Sequence, residues 1–343
     1  MTGKEVAKMA LDQVEPPRVP VTLVAGGEWY VHFSGETFAG IINDSRRIAD
    51  VFVRAFREIG HDLMWAGAGL LNYPAHFLGC PIQDNSSTTP ALTGTAIESL
   101  DDLNSLSVDM VVNHPTMKTI IEAHHLIADD IGAETLILPT QWGPFTTAAR
   151  ILGTEKLMMA TIENPERLMD LITLTTEINW AVSERIMAHP DIPGLNLSEP
   201  MSSGDLISPA MFRVFSAPFL KDLVGRARNG EKYSMIHICG NATTLLPDVL
   251  DIGPDCFSVE AKVDLRAAKE VLGGKVCVTG NVSPTGAFLS GKPEEVIQEA
   301  RACLEAWGAD PGFILTVGCD FPKEVPFENV KALMSLKSEV ASG

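Results

Sequence analysis

Ser234-Met-Ile-His237-Ile-Cys239-Gly240-Asn241 is an apolar run that stops at a glycine and an amide side chain. Alternate residues of a strand share one face, so His237 and Cys239 point to the same side just where strand gives way to loop. Similar short apolar or β-branched runs occur at Val21–Ala25, Asp62–Ala66, Thr135–Pro139, Pro193–Ser198, Cys256–Glu260, Val276–Gly280 and Phe313–Val317. Longer stretches with helical spacing separate them. Strands that alternate with helices pair in parallel, and with Ser234–Cys239 counted the runs number eight, which predicts a closed (β/α)8 TIM barrel. Enzymes of that architecture keep their chemistry at the C-terminal ends of the strands, and the opening run ends there.

The intervening helices announce themselves. Asn164–Met187 carries Leu168, Leu171, Ile172 and Thr175 at i, i+3, i+4 and i+7, an apolar stripe. Ser208-Pro209 supplies a capping hydroxyl followed by a proline at the first helical position, where no amide is needed. Pro293-Glu294-Glu295 sets two acids against the positive end of another helix. No repeat or linker-like tract divides the chain, so residues 1–343 read as a single domain. About 1–17 forms a short N-terminal extension, and a Gly-rich insertion over about 67–90 is placed to act as a lid.

Composition narrows the function. With 45% hydrophobic and 20% charged side chains the 343 residues make an ordinary globular core. Lys plus Arg number 26 against 44 Asp plus Glu, a net charge of −18 that repels nucleic acid and anionic membranes. No run approaches the roughly 18 apolar residues of a membrane span, and residues 1–17 are too polar for a signal peptide, so a cytoplasmic protein is expected. The six cysteines, at 80, 239, 256, 277, 303 and 319, form no CxxC pair and read as reduced thiols.

An imidazole and a thiolate on one strand face suit zinc. A third donor, Cys319, follows the last predicted strand in Leu315-Thr-Val-Gly-Cys319-Asp320. Three protein ligands leave one tetrahedral position open, the pattern of a catalytic ion. Cysteines packed in a core explain the same letters equally well, and that reading is the one adopted for Cys256, Cys277 and Cys303. Glu199, Asp205, Gln141 and Asn281 follow predicted strands and are candidate substrate-binding groups, with loop-supporting hydrogen bonds as the alternative. His32 and His61 read as structural.

Several of these pieces together resemble the uroporphyrinogen decarboxylase superfamily, and within it the zinc-containing methylcobalamin:coenzyme M methyltransferase branch. They are Gly143-Pro-Phe-Thr146 with Gly153, Glu199-Pro200 with Gly204-Asp205-Leu-Ile207, His237-Ile-Cys239-Gly240-Asn241, Gly280-Asn-Val-Ser-Pro284, and Gly318-Cys319 with Pro326 and Glu328-Asn329. The resemblance implies a (β/α)8 barrel whose Zn2+ is held by His237, Cys239 and Cys319, with Glu260 as an occasional fourth ligand and a substrate thiol in the open position. It also implies a zinc-dependent methyltransferase that exchanges a methyl group between methylcobalamin and a small substrate. The chain has no Asp-x-His-x-x-Gly, so the cobalamin is expected on a partner corrinoid protein.

Three alternatives stand beside this expectation. The same site suits a methylamine or methyl ether donor feeding a corrinoid protein. A uroporphyrinogen decarboxylase is the second, although the Arg-rich stretch expected of it is replaced by Ala25-Gly-Gly-Glu-Trp-Tyr-Val-His32. A non-catalytic barrel component of a corrinoid system is the third. Asp320-Phe-Pro-Lys-Glu-Val-Pro326 departs from the usual coenzyme M-type sequence and leaves the methyl partner open. Dinucleotide, nucleotide and metalloprotease motifs are missing from the sequence.

Overall fold

The computed structural model describes residues 1–83 and 88–338. Seven parallel strands form one sheet: β1 (Leu63–Ala66), β2 (Leu136–Trp142), β3 (Gly194–Ser198), β4 (Tyr233–Ile238), β5 (Cys256–Val259), β6 (Cys277–Val282) and β7 (Phe313–Val317). They lie side by side in chain order, and helices make each crossover. All but the ends of β2 and β4 are buried, as expected when helices cover the outer face of a parallel sheet.

Val21–Ala25 departs from expectation, because it forms no regular strand. Val21 instead makes an isolated parallel bridge to Leu315 on β7, and Leu23 makes one to Met64 on β1. The segment therefore touches both edge strands. Its ladder is cut short at one end by Pro20, which has no N–H to donate, and at the other by Ala25, whose φ of 59° leaves the extended region. The strand predicted to end at Pro139 continues to Trp142. It pairs with β1 up to Pro139 and with β3 from Thr140 onward, so the proline sits where the strand changes partner.

The predicted helices are present. Pro165–Ile186 buries Leu168, Leu171, Ile172 and Thr175. Ser208 accepts a bond from the Met211 amide and opens the helix Pro209–Phe215, and Pro293 opens Pro293–Trp307. The N-terminal extension holds a helix, Gly3–Leu11, closed by a Thr2/Glu5 capping box. Its Lys4 ammonium lies 2.6 Å from both Asp191 and the Gly132 carbonyl. Residues 84–87 of the expected lid lie outside the described residues. Around them, the helix Tyr73–Phe77 and a ribbon pairing Ile82–Gln83 with Ala91–Leu92 are tied down. Asn72 donates to the Pro90 carbonyl at 2.9 Å and the Thr89 amide donates to Glu28 at 2.5 Å. Among the described residues, no helix is long and apolar enough to cross a membrane, and all six cysteines are free.

One buried carboxylate fastens the sheet from below. Asp62, fully buried at the foot of β1, receives the Arg18 guanidinium fork at 2.6 and 2.8 Å, the Val21 amide at 2.9 Å and the Lys337 ammonium at 2.8 Å. Burial alone pushes its pKa up, but the two cations and the amide together outweigh that and hold it below the ordinary carboxylate value. Because the folded pKa lies below the unfolded one, this stabilisation is complete above about pH 4 and is lost as pH falls through the folded value. Asp62→Asn strands two cations and should cost about 3–5 kcal/mol at pH 7. Urea denaturation at pH 7 and pH 3.5 checks this: the wild type should lose more stability than the variant over that interval.

Candidate active site at the carboxyl ends of the strands

Cys239 and Cys319 stand just beyond the ends of β4 and β7, and His237 is the penultimate residue of β4. His237 Nε2 lies 3.1 Å from Cys239 Sγ and 3.7 Å from Cys319 Sγ, and the two sulfurs are 3.6 Å apart. Among the described residues, this is the one group of three or more His, Cys, Asp or Glu side chains whose donor atoms lie close enough to share an ion. Cys256, Cys277 and Cys303 are buried outside it.

The imidazole is locked from two sides. His237 pairs in register with Ser258 on β5, and its Nδ1 is 3.0 Å from the fully buried Ser258 Oγ. A serine hydroxyl that accepts from Nδ1–H leaves the Nε2 lone pair facing the sulfurs. Trp65 from β1 meets the ring edge-on, with centroids 5.7 Å apart. The Trp65 indole in turn donates to Met235 Sδ at 3.1 Å, and Met235 precedes His237 by two residues on the same face.

The two thiols are hydrogen-bonded to each other: that bond, aided by His237, lowers the Cys319 pKa, whereas the same bond, burial and the nearby negative charges of Glu260 and Asp320 raise that of Cys239. Asp320, next to Cys319, accepts from the amides of Gly26 at 2.7 Å and Phe321 at 3.0 Å. Glu260 lies outside the three-donor group. Its carboxylate accepts from the amide of Gly240, the residue after Cys239, and so holds the turn that carries that thiol.

The other candidate residues bond to groups of the protein itself, Glu199, Gln141 and Asn281 in the interior and Asp205 at the surface. Glu199, fully buried, accepts from the amides of Phe145 at 3.1 Å and Thr146 at 2.6 Å and from the Thr146 hydroxyl. It thereby caps the helix Pro144–Leu152, whose own N-cap, Gly143, has no side chain to do so. A Cβ on Gly143 would fall 2.2 Å from the Glu199 carboxylate, which explains the glycine. Burial pushes the Glu199 pKa up to about 7 against these hydrogen bonds. Gln141 donates to the Asn179 carbonyl at 3.1 Å and to the Ser183 hydroxyl. Asn281 donates to the Glu260 and Val263 carbonyls at 3.1 and 2.8 Å. Asp205 bonds Lys262 at 2.8 Å and the Asn241 amide at 3.2 Å. His61 is sealed between Tyr30 and Phe56.

The sequence pattern alone does not single out Ser258, Trp65 or Asp320. Ser258 was within reach, since it stands one strand over from His237 and two residues before Glu260. A cavity of about 330 Å3 opens among Arg18, Leu304, Trp307, Pro311 and Phe313, near the start of β7 and hence at the opposite end of the sheet; it touches none of the three donors.

Comparison with known proteins agrees with this architecture. A methylcobamide:CoM methyltransferase of Methanosarcina barkeri is 26% identical over 265 residues, covering 76% of this chain and 75% of the relative. A methylated-thiol–coenzyme M methyltransferase of Methanosarcina mazei is 26% identical over 289 residues, covering 84% and 76%. A solved methyltransferase structure from Methanosarcina mazei superposes with a TM-score of 0.87 at 25% identity over 99% of both chains. A B12-independent methionine synthase from Shewanella, at TM-score 0.55 and 15% identity over 87% and 86% of the two chains, shares the fold alone. The uroporphyrinogen decarboxylase (URO-D) family model matches residues 2–340, and the chain belongs to that family.

Proposed function

We propose that this protein is a zinc-dependent, corrinoid-linked methyltransferase that moves a methyl group between methylcobalamin, carried by a partner corrinoid protein, and a small thiol. The observation that carries the reading is the triangle of His237, Cys239 and Cys319 at the strand ends. Its edges of 3.1, 3.6 and 3.7 Å compare with about 3.5 Å for N–S and about 3.8 Å for S–S around a tetrahedral ion at ordinary zinc bond lengths. One nitrogen and two sulfurs are a donor set that zinc accepts. The names of the Methanosarcina relatives support a methyl group carried by a corrinoid. We also read the segment bridging β7 and β1 as the eighth stave of a (β/α)8 barrel, which sets the triangle in the barrel mouth.

When bound, zinc supplies a positive centre that lowers the pKa of a substrate thiol and favours its thiolate. The chain's own residues do the rest. Cys239 and Cys319 contribute two negative charges that offset the ion, so a substrate sulfur keeps the electron density it needs to attack a methyl group. Ser258 fixes the direction of the His237 lone pair. Trp65 and Met235 close the floor with apolar and sulfur surface, and Glu260 holds the Cys239 turn through Gly240.

Protein produced with zinc available should contain about one zinc per chain and should convert methylcobalamin to cob(I)alamin when a thiol is added, read by absorbance. Cys239→Ser or Cys319→Ala should lower both metal content and rate, by more than the roughly 100-fold that loss of a supporting hydrogen bond costs. Full activity in metal-free protein would sink the proposal. Ser258→Ala should leave the fold intact and weaken zinc affinity by about 10–100-fold, measured by competition with a chromogenic chelator; an unchanged affinity removes Ser258 from the argument.

A further inference from the structure

The cavity of about 330 Å3 near the start of β7 takes no part in the chemistry above, and its size falls among those of sites for small organic molecules. Its walls come from two stretches that the fold brings together, one between residues 15 and 19 and the other between residues 301 and 313, where the helix Pro293–Trp307 ends and the loop before β7 begins. The deep side is apolar and flat. Trp307 and Phe313, both buried, stack with centroids 5.2 Å and planes 18° apart, and Val19, Leu304 and two proline rings, Pro16 and Pro311, complete that surface. The loop is fastened in this shape. The Trp307 indole donates to the Asp310 carbonyl at 3.1 Å, and the Lys269 ammonium bonds the Trp307 carbonyl and lies 2.6 Å from the Asp310 carboxylate.

The charged groups of the lining are either taken or out in water. Arg18 gives its fork to Asp62, Arg301 is engaged within the chain and Asp310 pairs with Lys269. Glu15 and Glu305 are exposed, where solvent and salt screen them. A charged group laid against Trp307 and Phe313 would lose its hydration with no partner of opposite sign to replace it.

A neutral polar group backs the same wall. A Cβ on Gly312, which lines the cavity, would stand within 2.8 Å of both the oxygen and the nitrogen of the Gln13 carboxamide. Those two atoms are shut off from solvent and find no hydrogen-bond partner among the described residues. A buried amide without partners is costly, and its donor and acceptor, side by side, match the same pair on a ligand.

We propose that this cavity binds a small, uncharged, planar ring bearing an amide-type edge, the ring against Trp307 and Phe313 and the edge toward the Gln13 carboxamide beside Gly312. Such a ligand joins the segment ahead of Val21 to the loop ahead of Leu315, and so clamps the two stretches that lead into the bridge between those residues. The site lies at the opposite end of the sheet from His237, Cys239 and Cys319, and it stands whether or not the transferase reading holds.

Benzamide, benzoate and benzamidinium share one ring and one planar head and differ in charge, so calorimetric titration of each into the whole protein tests the proposal. Benzamide should bind with a Kd of about 1 mM or tighter, and the two ions at least about tenfold more weakly. Ala309→Trp, at an exposed position of the lining, should abolish benzamide binding. Gln13→Leu should weaken it about threefold to tenfold, as loss of one neutral hydrogen bond does. Failure of benzamide to bind, an ion that binds as tightly, or full affinity in either variant overturns the proposal. The three titrations of the wild type decide it even where a variant does not fold.

Discussion

Cys239 and Cys319 meet at 3.6 Å although the strands they extend, β4 and β7, are three inter-strand steps apart in the sheet. Laid flat, three steps of about 4.8 Å would hold those strands about 14 Å apart. The sulfur contact therefore exists because the sheet curls inward, and its curl is the constraint to which every other feature of the site answers. Twist inherent in the strands starts the curl. The segment through Val21 and Leu23, bonded to β7 on one side and β1 on the other, draws the edges together. Helices packed outside keep the inner face for side chains such as Trp65, Met235 and His237, which meet across it.

The alternation of short apolar runs with helical stretches was enough to locate the seven strands, because buried parallel strands leave an unmistakable apolar signal. It could not say that Val21–Ala25 would be reduced to two bridges, since that depends on how Pro20 and the turn at Ala25 meet both neighbours. His237 and Cys239 were legible from the two-residue repeat of a strand. Cys319 needed only its place after the last run, although contact between them depends on a curvature that no local pattern encodes. Gln141, Glu199, Asp205 and Asn281 show where such reading stops. Glu199 and Asp205 follow β3, and Gln141 and Asn281 are the penultimate residues of β2 and β6, but proximity to a strand end does not reveal where a side chain sends its hydrogen bonds. For Glu199, Asp205 and Asn281 they go to neighbouring loops and a helix end, and for Gln141 to the body of the helix Pro165–Ile186. Ser258 is silent in the sequence for the converse reason, because a small residue within a strand acquires meaning only once its register partner is known.

The site is thus supported by acidic residues that hold backbone amides. Glu260 steadies the turn after Cys239, Asp320 ties the loop after β7 to Gly26, and Glu199 both caps the helix after β2 and, through its own amide, bonds the His237 carbonyl at 2.7 Å. Acidic side chains serve this purpose well, because loops at the ends of parallel strands expose amide donors that need acceptors.

The lock at Asp62 bears on how the chain assembles as it is made. Arg18 leaves the ribosome before the carboxylate it grips, but Lys337, which also reaches the Gly60 carbonyl, lies 277 residues downstream of that glycine. Contacts this distant in sequence form late and slowly. Throughout most of translation β1 therefore waits with half its counter-charge missing, and β7, the strand at the other edge of the sheet, is not yet synthesised. For that interval the nascent protein presents an unclosed sheet edge, and chaperones that shield such edges should engage it until the last helix emerges.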